Sequence, residues 1–268
     1  MPNNGVEKTH EEYEAELKAA NEIVYKHSLE LARLKQELEQ ANERQVTLIH
    51  FITHQIKGFV AKSRNIFATA LEGDYGPVSD QLKPMLQAGF DSDTQGVNTI
   101  QEILNASNIK SGKVTYDMQP FDLKGLIDEI ANGLKPNADK KGLTLVIDTG
   151  TDPCTVTGDR AQLVNAYKNL IDNAIKYTPH GEVQIHLGKE NGKAVFTVKD
   201  NGVGITPEDM QNLFTEGGHG KESTKINVES TGFGLYIVKN IIEAHKGKVW
   251  AESEGAGKGS TFIVELPA

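Results

Sequence analysis

The sequence predicts an α+β fold. It consists of an N-terminal coiled coil and a helical hairpin, paired between two copies as a four-helix bundle, followed by an α/β sandwich. Three observations predict it. Residues 10–45 contain neither Gly nor Pro and carry a seven-residue apolar repeat. The turn-forming stretch GDYGPVS, residues 73–79, separates two long helical patterns. After SGKVTY, residues 111–116, short runs rich in Val, Ile, Thr and Phe replace the helical period. The expected divisions are 1–45, 46–112 and 113–268.

In the first segment Leu17, Val24, Leu31 and Leu38 repeat every seven residues. Offset by three are Tyr13, Ala20, His27, Leu34, Ala41 and Leu48. Glu and Lys surround this a/d seam, as in a coiled coil. An amphipathic helix packed inside one subunit is the alternative. His27 falls at a d position and reads as a register-setting polar residue. From Gln45 to Leu71 the only weak point for a helix is Gly58, which a helix interior tolerates. A second helix is expected from about 80 to 110, with Pro84 in its first turn, where proline is acceptable. Two helices joined by a short turn form an antiparallel hairpin with an apolar stripe that neither can bury. Pairing two hairpins from two subunits covers it.

In the third segment LTLVID (143–148), EVQIHL (182–187), AVFTVKD (194–200), GKVWAES (247–253) and STFIVEL (260–266) read as strands. KENGK, residues 189–193, is a hairpin turn between two of them. Helical patterns intervene at about 122–135, 159–177 and 235–246. The expectation is a sandwich on a mostly antiparallel sheet.

Composition narrows the function classes. A net charge of −9 works against nucleic-acid binding through a basic surface. The single cysteine, Cys154, excludes an internal disulfide framework and fits a reducing cytosol. No apolar run approaches the ~20 residues that span a bilayer, and MPNNGVEKTHEE lacks the apolar core of a signal peptide. A cytoplasmic location follows, either free or as the cytoplasmic part of a membrane-anchored sensor.

Four stretches carry chemistry. NLIDNAIKYTP, residues 169–179, lies on a helix capped by Asp159 and puts Asn169, Asn173 and Lys176 near one face. A neutral amide oxygen suits Mg²⁺, and a lysine one turn on meets phosphate as a point charge. DNGVGI, residues 200–205, offers the acceptor-only Asp200 for an exocyclic amine. Its Gly202 and Gly204 allow close backbone approach. STGFGLYIVKNI, residues 230–241, opens a helix with Gly232 and Gly234, and a helix N-terminus favours anions. TEGGHGKESTKINVES, residues 215–230, has the length and glycine content of a lid, with Lys221 and Lys225 within it. Each alone also reads as an ordinary surface feature.

Their order and spacing are far more specific. NLIDNAIKYTP resembles the N box, DNGVGI the G1 box, Leu213-Phe214 the F box and GFG the G2 box of sensor histidine kinases. These belong to the Bergerat-type ATPases, and the resemblance covers roughly residues 45–268. It implies ATP and Mg²⁺ as cofactors. Asn173 would be the principal magnesium ligand and Asn169 its support. Lys176, beside Tyr177, would contact phosphate, Asp200 would hold the adenine amine, and Gly232 and Gly234 would border the phosphates. Lys221 and Lys225 could reach phosphates too, a reading of the 215–230 stretch itself and not of the resemblance. No P-loop pattern is present.

HFITHQIKGF, residues 50–59, places His50 and His54 one helical turn apart. Alone, the pair reads equally as inert packing, a metal clip or a reactive histidine. HQIKGF resembles the family's H box, H-E-[LI]-[RK]-T-P, which implies that His54 is the phosphoacceptor. The sequence departs from that pattern in three places. Gln55 stands where Glu usually orients the imidazole, Gly58 where Thr or Asn is usual, and Phe59 where Pro is usual.

With the heptad seam read as a signalling coiled-coil helix over 1–45, the resemblance implies a homodimeric kinase core: a dimerisation and phosphotransfer hairpin over 46–112, and a catalytic ATP-binding domain over 113–268. It would autophosphorylate on a histidine and pass the phosphoryl group to a response-regulator receiver domain. An upstream sensor domain, absent from this chain, would drive it. The alternatives are a degenerate kinase acting as a dimeric ATP-binding scaffold and a clamp-type ATPase.

Overall fold

A computed structural model describes residues 9–74, 76–112, 114–218 and 231–268, with Glu12 described in its backbone alone. Helix α1 runs His10–Glu72. The chain divides into a first unit that ends at Ile52 and a second that spans Thr53–Ala268.

In the first unit the heptad residues Leu17, Val24, Leu31 and Leu38 stand 63%, 66%, 67% and 71% exposed. The (i, i+4) pairs Arg33–Glu37 at 2.8 Å and Lys35–Glu39 at 3.9 Å lie along the same helix. Such exposed pairs add only a few tenths of a kcal/mol, roughly 0.3–0.5 each.

In the second unit the end of α1 packs antiparallel on α2, Lys83–Lys110. Gly89 lies against the Phe67 ring, where a Cβ would stand 2.6 Å from the ring edge, and Gly96 faces Val60. Nearer the chain's start, Lys57 Nζ donates to Gln101 Oε1 at 2.7 Å. The hairpin still leaves Ile56, Phe59, Ile66 and Met85 exposed. Gly58 sits inside α1 with open space where a Cβ would go.

The remainder is a two-layer α/β sandwich. Its elements are β1 (Gln119–Asp122), α3 (Leu123–Lys140), β2 (Thr144–Asp148), β3 (Thr155–Gly158), α4 (Arg160–Tyr177), β4 (Glu182–Glu190) and β5 (Lys193–Asp200). They are followed by α5 (Pro207–Met210), α6 (Gly234–Ala244), β6 (Lys248–Glu252) and β7 (Ser260–Pro267). The main sheet has the order β2-β4-β5-β7-β6, with β2–β4 parallel and every other pair antiparallel. Strand alternation turns Val183, Ile185 and Leu187 inward and leaves Gln184 and His186 exposed. α3, α4 and α6 cover that inner face. Leu123, Ile127, Leu163, Ile171, Ile241 and Ile242 are fully buried, and Tyr167 meets Phe196 edge-on at 4.8 Å. The β4–β5 hairpin turns through Asn191 and Gly192, at φ of 51° and 77°, the left-handed pair that a tight hairpin needs.

Three features depart from the sequence reading. β1 and β3 form a separate antiparallel ladder that the reading lacked. QPFD and TVTG are four-residue strands with too little pattern to be seen. α5 is a single turn capped by Thr206 and was likewise absent from the reading. α3 continues through Pro136 to Lys140, beyond the expected end near 135, because Leu134 and Ala138 are both buried in the core. Cys154 is buried just before β3, and its N–H donates to Asp122 Oδ1 at 2.8 Å. Among the described residues no helix is long and apolar enough to cross a membrane.

Candidate functional site

A cavity of about 870 Å³ opens beside α4 in the second unit. Asn169, Asn173, Lys176 and Tyr177 of α4 line one side. Asp200 and Gly204, from the end of β5 and the loop after it, line another, and Gly232 and Gly234 stand at the start of α6. Ile205, Leu213 and Phe262 supply apolar wall, and Asn98, Thr99 and Glu102 of α2 border it as well.

The α4 side chains arise from one-turn spacing on a helix whose other face is core. Asn173 Nδ2 donates to Asn169 Oδ1 at 3.0 Å, which leaves the Asn173 oxygen outside that bond. The Asn169 amide packs under the α6 start, where a Cβ on Gly234 would stand 2.7 Å from it. Thr231 Oγ1 donates to Glu102 Oε2 in a very short bond, and Phe233 N donates to Thr231 Oγ1 at 3.3 Å.

Asp200 is 5% exposed. Its Oδ1 accepts from Gly202 N at 2.8 Å and Ser260 N at 3.3 Å, and its Oδ2 accepts from Ser260 Oγ at 2.5 Å. A carboxylate has about four lone-pair sites, so capacity remains for a further donor from the cavity. Burial raises the Asp200 carboxyl above its ordinary value, against the pull of the Ser260 and Gly202 hydrogen bonds. The DNGVGI loop is tied to the 253–259 loop: Gly257 N donates to Val203 O at 2.6 Å and Ile205 N to Ser253 Oγ at 3.0 Å.

The glycines of this loop answer to the protein itself. A Cβ on Gly202 would come 2.4 Å from Tyr177 O, and one on Gly204, at φ 69°, would come 2.0 Å from Gly255 O. Gly202 does not line the cavity.

The donor set fits a purine nucleotide and its cation: a buried carboxylate for an amine, apolar walls for a flat ring, amide oxygens and Lys176 for charged oxygens. Two of the expected residues lie elsewhere. His54 and Gln55 are exposed on α1 and do not line the cavity. Lys221 and Lys225 lie outside the described residues. Ser260, which braces Asp200, and Lys141, which lines the cavity, were missed. A serine at a strand start and a lysine after a helix carry no motif, and both act on partners far along the chain.

Residues 158–268 match the family of histidine kinase-, DNA gyrase B-, and HSP90-like ATPases. The chain is 28% identical over 232 residues to the circadian input-output histidine kinase CikA of Synechococcus elongatus, covering 85% of this chain and 31% of that protein. It is 28% identical to cyanobacterial phytochrome A of a Nostoc species, covering 93% of this chain and 32% of that protein. It thus spans about a third of the length of these curated relatives. In fold it resembles full-length ShkA, crystallised in complex with AMPPNP, with a TM-score of 0.66 and 21% identity over 82% of this chain and 45% of that one.

Proposed function

We propose that this is a sensor histidine kinase, with a catalytic ATP-binding domain over residues 113–268 that includes the ATPase-family match at 158–268, and that it phosphorylates His54 from ATP. The phosphoryl group then passes to an aspartate of a response-regulator receiver domain. The observation that carries the reading is the convergence of Asn169, Asn173, Lys176 and the buried Asp200 on one cavity.

Asp200 would accept a hydrogen bond from the adenine amine, and Lys176 would meet phosphate oxygens. Asn173, backed by Asn169, would hold Mg²⁺, which neutralises phosphate charge when bound. A neutral His54 ring nitrogen attacks the γ-phosphorus, the bond to the β–γ bridging oxygen breaks, and ADP leaves. The ring sheds its remaining N–H proton to water after the N–P bond forms. Gln55 can accept a hydrogen bond in the place of the usual carboxylate but brings no charge. An aspartate oxygen then attacks the same phosphorus, the N–P bond breaks, and the ring takes a proton back from water and leaves as neutral imidazole. Because His54 does not line the cavity, transfer needs a rearrangement that brings the two together in a homodimer. Input would come from a sensor domain, and the cytoplasm would supply the ATP.

The second reading, a dimeric ATP-binding scaffold without kinase activity, draws on Gln55, Gly58 and Phe59 and on the separation of His54 from the cavity. Incubation with γ-labelled ATP and Mg²⁺ separates the two. A kinase gives acid-labile, alkali-stable label that is lost in His54→Gln and kept in His50→Gln. ATP binding without label supports the scaffold.

A further inference from the structure

We propose that Lys141 is a positioning residue for the nucleotide site, an inference that rests on reading the cavity as an ATP site. Lys141 caps the C-terminus of α3, and Gly142, at φ 70°, turns the chain away toward β2. Its side chain crosses to the C-terminal end of α4. There Nζ donates to Ile175 O at 2.8 Å, Lys176 O at 2.9 Å and Thr178 O at 3.2 Å. An ammonium has three protons, and all three are committed.

A helix end leaves about four carbonyls without partners inside the helix. Here each carbonyl from Ala174 to Thr178 has one. Thr178 Oγ1 donates to Ala174 O at 2.7 Å, and Val203 N donates to Tyr177 O at 3.2 Å. Lys141 serves the other three. Its positive charge also sits at the negative end of the helix dipole. The held turn carries Lys176 and Tyr177 into the cavity wall. The Val203 bond fastens the DNGVGI loop, next to Asp200, to that same turn. The loop lies so close that a Cβ on Gly202 would meet Tyr177 O at 2.4 Å. One ammonium on α3 therefore fixes the helix end against which the adenine-side loop rests. With its protons spent on carbonyls, Lys141 acts on a nucleotide through Lys176, Tyr177 and Val203.

The test compares Lys141→Met with Lys124→Met in the full chain. Lys124 is on the same helix but pairs with Asp128 at 2.7 Å, away from the cavity. Mg²⁺–ATP affinity is measured by calorimetry and exchange of the Val203 amide by NMR or mass spectrometry. Lys141→Met should weaken ATP by about tenfold, the worth of one good hydrogen bond to a charged group. It should also speed Val203 exchange by about tenfold, while Lys124→Met does neither. Affinity within twofold of wild type and unchanged Val203 exchange overturn the proposal. If Lys141→Met does not fold, Lys141→Arg decides. A planar guanidinium cannot converge three donors on these carbonyls, so about a threefold loss is expected, and wild-type affinity overturns the proposal. If the wild type binds no ATP, the nucleotide reading fails, while Val203 exchange still tests the coupling.

Discussion

At the scale of single residues, Asp200 sets function against stability. Burial raises its carboxyl above the ordinary 3.8, so the folded chain holds that proton more tightly than the unfolded one. The ionised carboxylate therefore works against folding at neutral pH. That cost fades as pH falls through the raised value and is gone below the unfolded one. Asp200→Asn should thus lower ATP affinity by roughly 10- to 100-fold, the range for losing a charge-assisted bond, and should leave the melting temperature at pH 7 equal or higher. Its gain in melting temperature should shrink in acid. Calorimetric titration and melting curves at both pH values check this, and unchanged affinity would remove Asp200 from the site. Gln55 gives a second residue-scale prediction. Gln55→Glu restores a charge beside His54, and autophosphorylation should rise by about tenfold, below the ~10²–10⁴-fold of a full general base. Unchanged ATP affinity would localise the effect, and a flat or lower rate would mean that His54 is oriented by another acceptor. Asp200 was legible in the sequence because a carboxylate between a strand and two glycines is a local pattern. Its brace was not legible, since Ser260 arrives from sixty residues away.

At the scale of elements, the glycines divide by what surrounds them. Gly204 has a positive φ and a backbone oxygen 2.0 Å from where a Cβ would stand. Gly204→Ala should therefore strain the loop and cost roughly 1–3 kcal/mol, visible as a lower denaturant midpoint. Gly58 has nothing within 4 Å of that point and lies inside a helix, so Gly58→Ala should stabilise by roughly 0.5–1 kcal/mol. A loss of stability there would reveal a close neighbour, such as a second hairpin. Long elements were legible because their periods persist: the α1 heptads, the α4 face and the β4–β5 alternation all exceed the noise of composition. The β1–β3 ladder was not, because each strand is four residues long and its partner is set by tertiary folding. The end of α3 was misplaced because a proline weighs against a helix locally, while Leu134 and Ala138 weigh for it through the core.

At the scale of the whole molecule, the first unit presents a folding problem that one copy does not solve. Leu17, Val24, Leu31 and Leu38 remain more than half exposed, along a stretch of helix where Arg33–Glu37 and Lys35–Glu39 are surface ion pairs. Isolated helices gain little from such pairs, and most helical stability in proteins comes from packing an apolar face. Covering one leucine stabilises by about 1.5–3 kcal/mol. Pairing two copies through this seam would supply what the single helix lacks, and His27 at a d position would then be a weak point that helps fix register. Replacing Leu31, at the middle of the seam, by Lys puts two like charges opposite each other in a dimer. The dimer dissociation constant of the full chain should rise by roughly 10²-fold, read by sedimentation equilibrium. Ellipticity at 222 nm should fall by a fraction matching the first unit, because its helix frays once unpaired. ATP affinity should hold, since the cavity lies wholly in the second unit. Unchanged association together with unchanged ellipticity would mean that this helix is covered by something other than its own copy.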